Sequence, residues 1–452
     1  MGGSVAYRHG LTDGGLTMST INAQVPAELG YLMMDADQHS TPARDAYENY
    51  IDPDKKHMAI RTVKGPDGTW DQIYNGRPKK WRAKNFQVVG SEEVLSSVGV
   101  KGAGADIDTE GNGAPTMGQG GIIPGSLLTK LNPLKGLDAQ GRRDFASKYR
   151  ALQEFLDNPS DRLAVMDSQG IEATVNFATL PGSEPEFEDD YEGLYANLNA
   201  LNRYLGEVWG YNTERRLFTP PYISFADPEQ ALKQLELIMS IDVPKVIQCS
   251  TGPSMHTSPF RPENDRFWSI CNEAGIKLST HLASLTRYAA QGEEWNEPEV
   301  MLGDMDAFQW VFYYGDRPAM ETVGAAILQG WFERYPNMRL LLSEQGTVWL
   351  PYLLRKMDHA YMMGRRGTWA KLTRRPSEYF KDFCFVAPFP EENLQRVIEV
   401  VGTKPIVFGS DFPHGEGLPE PTMYLDQVKN LTDEDRHAIM RGNLARFLDL
   451  PA

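Results

Sequence analysis

Asp37 and His39 in YLMMDADQH, His281 in IKLSTH, Glu344 in RLLLSE and Asp411 in PIVFGSD each stand at the end of a strand-like apolar run. Carboxylates and imidazoles converging from such positions are the donor set of a divalent metal centre. Asp37 and His39 are two apart, so on an extended strand both side chains point to one face and can chelate one ion; Asp35 shares that parity. A DxDxH alone is equally a polar strand end, and one histidine closing an apolar strand is ordinarily a satisfied core residue. The combination points to a metal. In FGSDFPHGEG an apolar strand runs straight into Asp411, which is thereby presented at a loop mouth or caps a helix. His414, three residues later, is a candidate to stabilise negative charge, to hold a substrate carboxylate or simply to support the loop. Glu344 is a candidate acid/base, or else a carboxylate that orients His281 or Arg355. Arg261 in HTSPFRPEND is a candidate anion holder. Tyr222, Phe225, Trp268, Trp310 and Trp349 would offer flat apolar surface to a small organic substrate, although tryptophans beside helix starts also serve as core packing.

The elements that must position these residues follow a β/α alternation. Strands are expected at 31–37, 172–178, 217–224, 243–249, 276–282, 339–344, 382–387 and 405–410, separated by segments of helical spacing such as ALQEFLDNPSDRLAVMDSQG, DPEQALKQLELIMS and ENLQRVIEVVG. Asp227-Pro228-Glu229 marks a helix start, while Gly170 and Gly275 sit where helices end before a strand. Eight strands in this order predict an α/β fold, a closed (β/α)8 TIM barrel spanning 1–452, with catalytic groups at the C-terminal strand ends. The chemical segments fall at strands one, five, six and eight. Residues 45–140 break the alternation and read as an insertion after strand one on the active-site face. Its glycine-rich stretch 100–121 reads as a flexible surface loop.

Composition narrows the partners. The 452 residues are 41% hydrophobic with 9 Trp, 19 Tyr and 19 Phe, enough for a large core. No segment approaches the ~20 apolar residues of a membrane span. Lys plus Arg number 45 against 61 Asp plus Glu, a net charge of −16, which disfavours nucleic acid and anionic membrane as partners. The first residues lack the apolar core of a signal peptide, so a cytoplasmic protein is expected. Cys249, Cys271 and Cys384, without CxxC spacing, read as buried small hydrophobes.

Taken together, the DxDxH segment, THLAS, SEQGTVWLPYLLRKMD, GSDFPH and the closing GNLARFLDL resemble the amidohydrolase superfamily. Its nearest branch is the amidohydrolase 2 group, which includes the aminocarboxymuconate-semialdehyde decarboxylase-like enzymes. The resemblance covers roughly residues 30–40 and 140–452. It implies one divalent ion held by Asp37, His39, His281 and Asp411, a small-molecule substrate and a homodimer. Two positions depart from the family's pattern. Asp37 replaces the first histidine of its His-x-His pair, and Glu344 stands where its strand-six histidine acts as acid/base. More oxygen around the ion moves the expected metal from zinc towards manganese or another hard cation. The leading expectation is a hydrolase using metal-activated water. Its rival is a non-oxidative decarboxylase or hydratase on the same metal cradle, and a third reading is a silent barrel turned binding protein.

Overall fold

The computed structural model describes residues 23–64, 70–78, 158–179, 184–187, 189–282, 295–296, 308, 316–364, 372–390, 392–414, 417–418 and 420–451. The stretch 100–121 and Trp310 lie outside them. The first part of the chain carries β1 (Met33–Ser40), α1 (Ala46–Tyr50), β2 (Arg61–Lys64), β3 (Trp70–Tyr74), β4 (Arg77–Pro78), α2 (Pro159–Gln169) and β5 (Ile171–Ala178). There follow α3 (Tyr191–Tyr204), β6 (Asn212–Thr213), β7 (Leu217–Phe218), β8 (Tyr222–Ile223), α4 (Pro228–Ile241), β9 (Val246–Cys249) and α5 (Asp265–Ala274). The remainder gives β10 (Lys277–His281), α6 (Asp316–Leu328), β11 (Leu340–Ser343), α7 (Leu350–Gly364), α8 (Pro376–Phe383), β12 (Cys384–Val386), α9 (Leu394–Val401) and α10 (Asn443–Phe447). This is an α/β fold.

Helix boundaries follow local chemistry. The Asn158 side chain accepts from the Asp161 N–H and Pro159 opens α2, so this helix starts later than the expected segment from Ala151, whose first residues are not described. Asp227 accepts from the Gln230 N–H ahead of Pro228 to start α4. Gly170 and Gly275, at φ 72° and 72°, close α2 and α5 in the left-handed conformation.

The ladders form two sheets rather than the one closed sheet expected. One has the order β1-β5-β7-β6, the other β12-β11-β10-β9-β8. All pairs are parallel except β6 with β7. The expected strand 217–224 is divided between the two sheets at Pro220 and Pro221, which have no N–H to donate. The expected strand 405–410 forms no regular ladder, yet it runs between β12 and β1. Val407 N donates to Val386 O at 3.0 Å, Ala36 N to Phe408 O at 2.8 Å, and Asp411 N to Asp37 O at 2.8 Å. A separate antiparallel sheet, β2-β3-β4, was not foreseen.

Both faces of the parallel strands are buried, as helices on the sheet demand. Leu340 and Leu342 pack towards the helices with Trp268 and Trp331. Leu341 joins Val175, Phe177, Phe385 and Val407 in a second cluster, closed by Leu444, Phe447 and Leu448 around α10. The described start of the 45–140 segment lies along α3: Ile60 N donates to Asn197 Oδ1 at 2.7 Å, and Arg203 Nη1 donates to Tyr50 O at 3.0 Å.

Candidate metal centre

β1 delivers Asp37 and His39 from its last turns of backbone, three residues further along than the expected strand end at 37. Its pairing with β5 shifts register between Asp35 and Gln38, a bulge that separates Asp35 from the parity of Asp37 and His39. Asp35 therefore turns to Ser410 and Gln38, not to the cluster. β10 ends on His281, and the chain leaves β11 at Glu344. Glu344 and Asp411 both sit at positive φ, 52° and 56°. Such backbone costs on the order of 1–3 kcal/mol per residue and persists where surrounding structure imposes it, commonly at functional sites.

Asp37, His39, His281, Glu344, Asp411 and His414 are all buried. His39 Nε2 lies 3.1 Å from His281 Nε2, 3.4 Å from Asp37 Oδ1 and 3.2 Å from Asp411 Oδ1. His281 Nε2 lies 3.3 Å from Asp37 Oδ1 and 3.2 Å from Glu344 Oε2. Donors around one ion at about 2.1 Å are separated by about 3.0 Å in an octahedron and about 3.4 Å in a tetrahedron, the spacing found here. Asp37 Oδ1 is buried and takes no hydrogen bond. His281 Nδ1 meets Leu282 O at 2.9 Å, which places its proton there and turns a bare Nε2 to the cluster. Two groups of four, Asp37/His39/His281/Glu344 and His39/Glu344/Asp411/His414, could each hold a metal ion. The residues fit a divalent cation.

Burial favours the neutral, metal-binding form of His39 and His414. Burial lowers the His39 pKa to about 4, against the pull of Asp37. Burial also drives His414 well below the ordinary imidazole value, with His39 and His281 adding repulsion. For Asp37, burial pushes the carboxyl up, but the facing His281 and His39 outweigh it and the net shift is down. Neutral imidazoles and an ionised carboxylate are what a cation requires.

Glu344 faces the cluster side of His281, not its Nδ1 edge, so it stands among the donors; Arg355 lies exposed on α7. His414 pairs through Nδ1 with Asp411 Oδ1 at 2.8 Å and through Nε2 with Thr179 Oγ1 at 3.2 Å, and its ring stacks on His39 at 3.8 Å. Arg261 and Trp349 are the residues expected against the substrate. Arg261 is exposed beside Glu263, because it precedes a short surface turn. Trp349 is buried and donates its indole N–H to Gln345 O at 2.9 Å and Gly346 O at 3.0 Å, closing the turn that carries Glu344. Trp268 and Phe225 stack on each other in the core.

Several residues at the site carried no sequence signal of their own. Phe177 packs its ring 4.7 Å from that of His281. Thr251 Oγ1 donates to His281 O at 2.7 Å, and Gln345 Nε2 donates to Thr251 Oγ1 at 2.9 Å and Thr280 Oγ1 at 3.1 Å. Thr179 does follow directly on β5, as Glu344 follows directly on β11.

Known proteins share this arrangement of chain. The family model described as Amidohydrolase matches residues 146–450. A curated 2-amino-3-carboxymuconate-6-semialdehyde decarboxylase from Dictyostelium discoideum is 25% identical over 131 residues, 28% of this chain and 36% of that protein. The match thus spans little more than a third of the curated relative. The crystal structure of an amidohydrolase from Mycobacterium avium subsp. paratuberculosis K-10 has a TM-score of 0.73 at 22% identity, covering 93% of this chain and 100% of that one. The 5-carboxyvanillate decarboxylase of Novosphingobium aromaticivorans DSM 12444, in complex with manganese and 4-hydroxy-3-methoxy-5-nitrobenzoic acid, has a TM-score of 0.54 at 15% identity, covering 96% and 100%. At these identities the solved structures establish the fold.

Proposed function

This chain belongs to the amidohydrolase family and is an enzyme, and from that premise we propose that it is a metal-dependent non-oxidative decarboxylase of a small organic acid. The buried convergence of Asp37, His39, His281, Glu344 and Asp411 at 3.1–3.4 Å carries the reading. Asp37, His39, His281 and Asp411 are the proposed ligands of one divalent ion, with manganese favoured by the oxygen-rich set and by the manganese-bound relative. When bound, the ion would polarise a substrate oxygen. Decarboxylation breaks the bond between the carboxylate and its carbon, and the electron pair left on carbon must take up a proton. Glu344 is the proposed donor of that proton. His414, held between Thr179 and Asp411, is proposed to fix the Asp411 carboxylate.

Hydrolysis, the leading expectation from sequence, becomes the second reading, supported by the family's description; the relatives named as decarboxylases favour the first. We read the two sheets as halves of one (β/α)8 barrel, joined through 219–221 and through the hydrogen bonds of 405–412. Residues 45–140 would cover its mouth or meet a partner copy, and a cytoplasmic homodimer remains the proposed form. Manganese-loaded protein offered a panel of hydroxylated benzoates is expected to release carbon dioxide. Amide or ester turnover without carbon dioxide release would reverse the order of the two readings.

A further inference from the structure

Asp35 is the member of the DxDxH segment that the metal centre leaves unused. We propose that it is the positioning residue that sets Asp37 and Asp411 together, with Arg162 and Gln38 doing the same for His39. The inference rests on reading Asp37, His39 and Asp411 as ligands. A carboxylate offers about four lone-pair directions. Asp35 has all of them engaged: Oδ1 accepts from Asp37 N at 3.1 Å and Ser410 N at 2.9 Å, and Oδ2 accepts from Gln38 Nε2 at 3.0 Å and Ser410 Oγ at 2.5 Å. It has none left for an ion.

The bulge in β1 explains why a side chain is needed here. An extra residue removes ladder partners from the backbone on both sides of it. The Asp35 carboxylate takes the Asp37 and Ser410 N–H groups in their place. Ser410 Oγ in turn accepts from Phe412 N at 3.1 Å, so the residues before and after Asp411 hang on one buried carboxylate while Asp411 holds its positive φ. On the helix side, Arg162 of α2 is fully buried; it donates to Gln38 Oε1 at 3.3 Å and to His39 O. Arg162 and Asp35 are thus linked through Gln38, and the backbone of three proposed ligands is tied to one network.

Titration of the metal-free full chain with manganese, reading free Mn2+ by electron paramagnetic resonance, tests this. Asp35→Asn, which replaces the accepting Oδ2 with a donor facing Gln38 Nε2 and Ser410 Oγ, and the milder Ser410→Ala are expected to weaken manganese binding about 10–100-fold. Glu172→Gln is the comparator. It breaks the buried Glu172–Arg441 pair at 2.8 Å elsewhere in the fold, and should lower the metal-free melting temperature without moving manganese affinity. If Asp35→Asn does not fold, Ser410→Ala decides. Manganese affinity in Ser410→Ala equal to that of the unmodified chain overturns the inference, as does an equal loss in Glu172→Gln. Failure of the unmodified chain to bind manganese overturns the metal-centre reading and the inference with it.

Discussion

Glu344 occupies a backbone conformation that a glutamate adopts only under constraint, with its carboxylate 3.2 Å from His281 Nε2. Gln345 beside it is buried and bonded to two threonines, and Trp349 closes the turn from the other side. These contacts hold the carboxylate in place without its own charge. Glu344→Gln should therefore keep the fold and most of the metal while turnover falls by the ~10²–10⁴ of a lost proton donor. Metal content and turnover on one preparation separate the roles: loss of both makes Glu344 a ligand, and near-normal turnover removes it from the chemistry. His281 has a different signature. Its Nε2 contributes to three of the short cluster contacts, so His281→Ala should remove most of the bound metal, counted per chain by elemental analysis.

At the level of elements, the helix ends before β5 and β10 make a controlled pair. Gly170 and Gly275 share a φ of 72°. A Cβ at Gly170 would meet Gln24 O at 2.7 Å and Pro26 Cδ at 2.9 Å, whereas at Gly275 only Lys245 Nζ comes within 4.0 Å. Gly275→Ala should cost about 1–2 kcal/mol, the left-handed penalty alone. Gly170→Ala should cost more, because backbone must also move. Denaturant melts of both variants check the order, and equal losses would mean that the Gln24–Pro26 segment yields freely.

For the whole molecule, the two buried faces of the parallel strands separate stability from chemistry. One face packs on helices and the other forms the inner cluster under the metal site, sealed by Phe447 against Phe385 at 5.3 Å. The described start of the 45–140 segment is bonded to this body. Its described beginning bonds to Asn197 and Arg203 of α3, and these contacts would be lost in isolation. A fragment of residues 45–140 should therefore show no cooperative melt; a sharp transition with a stable baseline would make it a domain of its own. Among the described residues no helix is long and apolar enough to cross a membrane.

The alternation of apolar strands with capped helices was legible because each signal is local: Asn158-Pro159, Asp227-Pro228 and the two glycines act on neighbours in sequence. So was the chemistry, since Asp37 and His39 on β1, His281 closing β10, Glu344 just after β11, and Asp411 and His414 after the apolar run 405–410 stand out by their place along apolar segments. The parity of Asp35 was misleading, because a bulge depends on the pairing of β1 with β5 and leaves no mark on β1 alone. Arg261 and Trp349 were expected against the substrate by residue type, and only the tertiary structure fixes their neighbours: Glu263 on a surface turn for Arg261, and the Gln345 and Gly346 carbonyls for Trp349. The sequence by itself determined which groups could bind a metal and which strands carry them. Distances of 3.1–3.3 Å between residues hundreds of positions apart, and the Asp35–Arg162 network proposed to maintain them, were decided by packing alone, because hydrogen bonds across strands are set by register and not by composition.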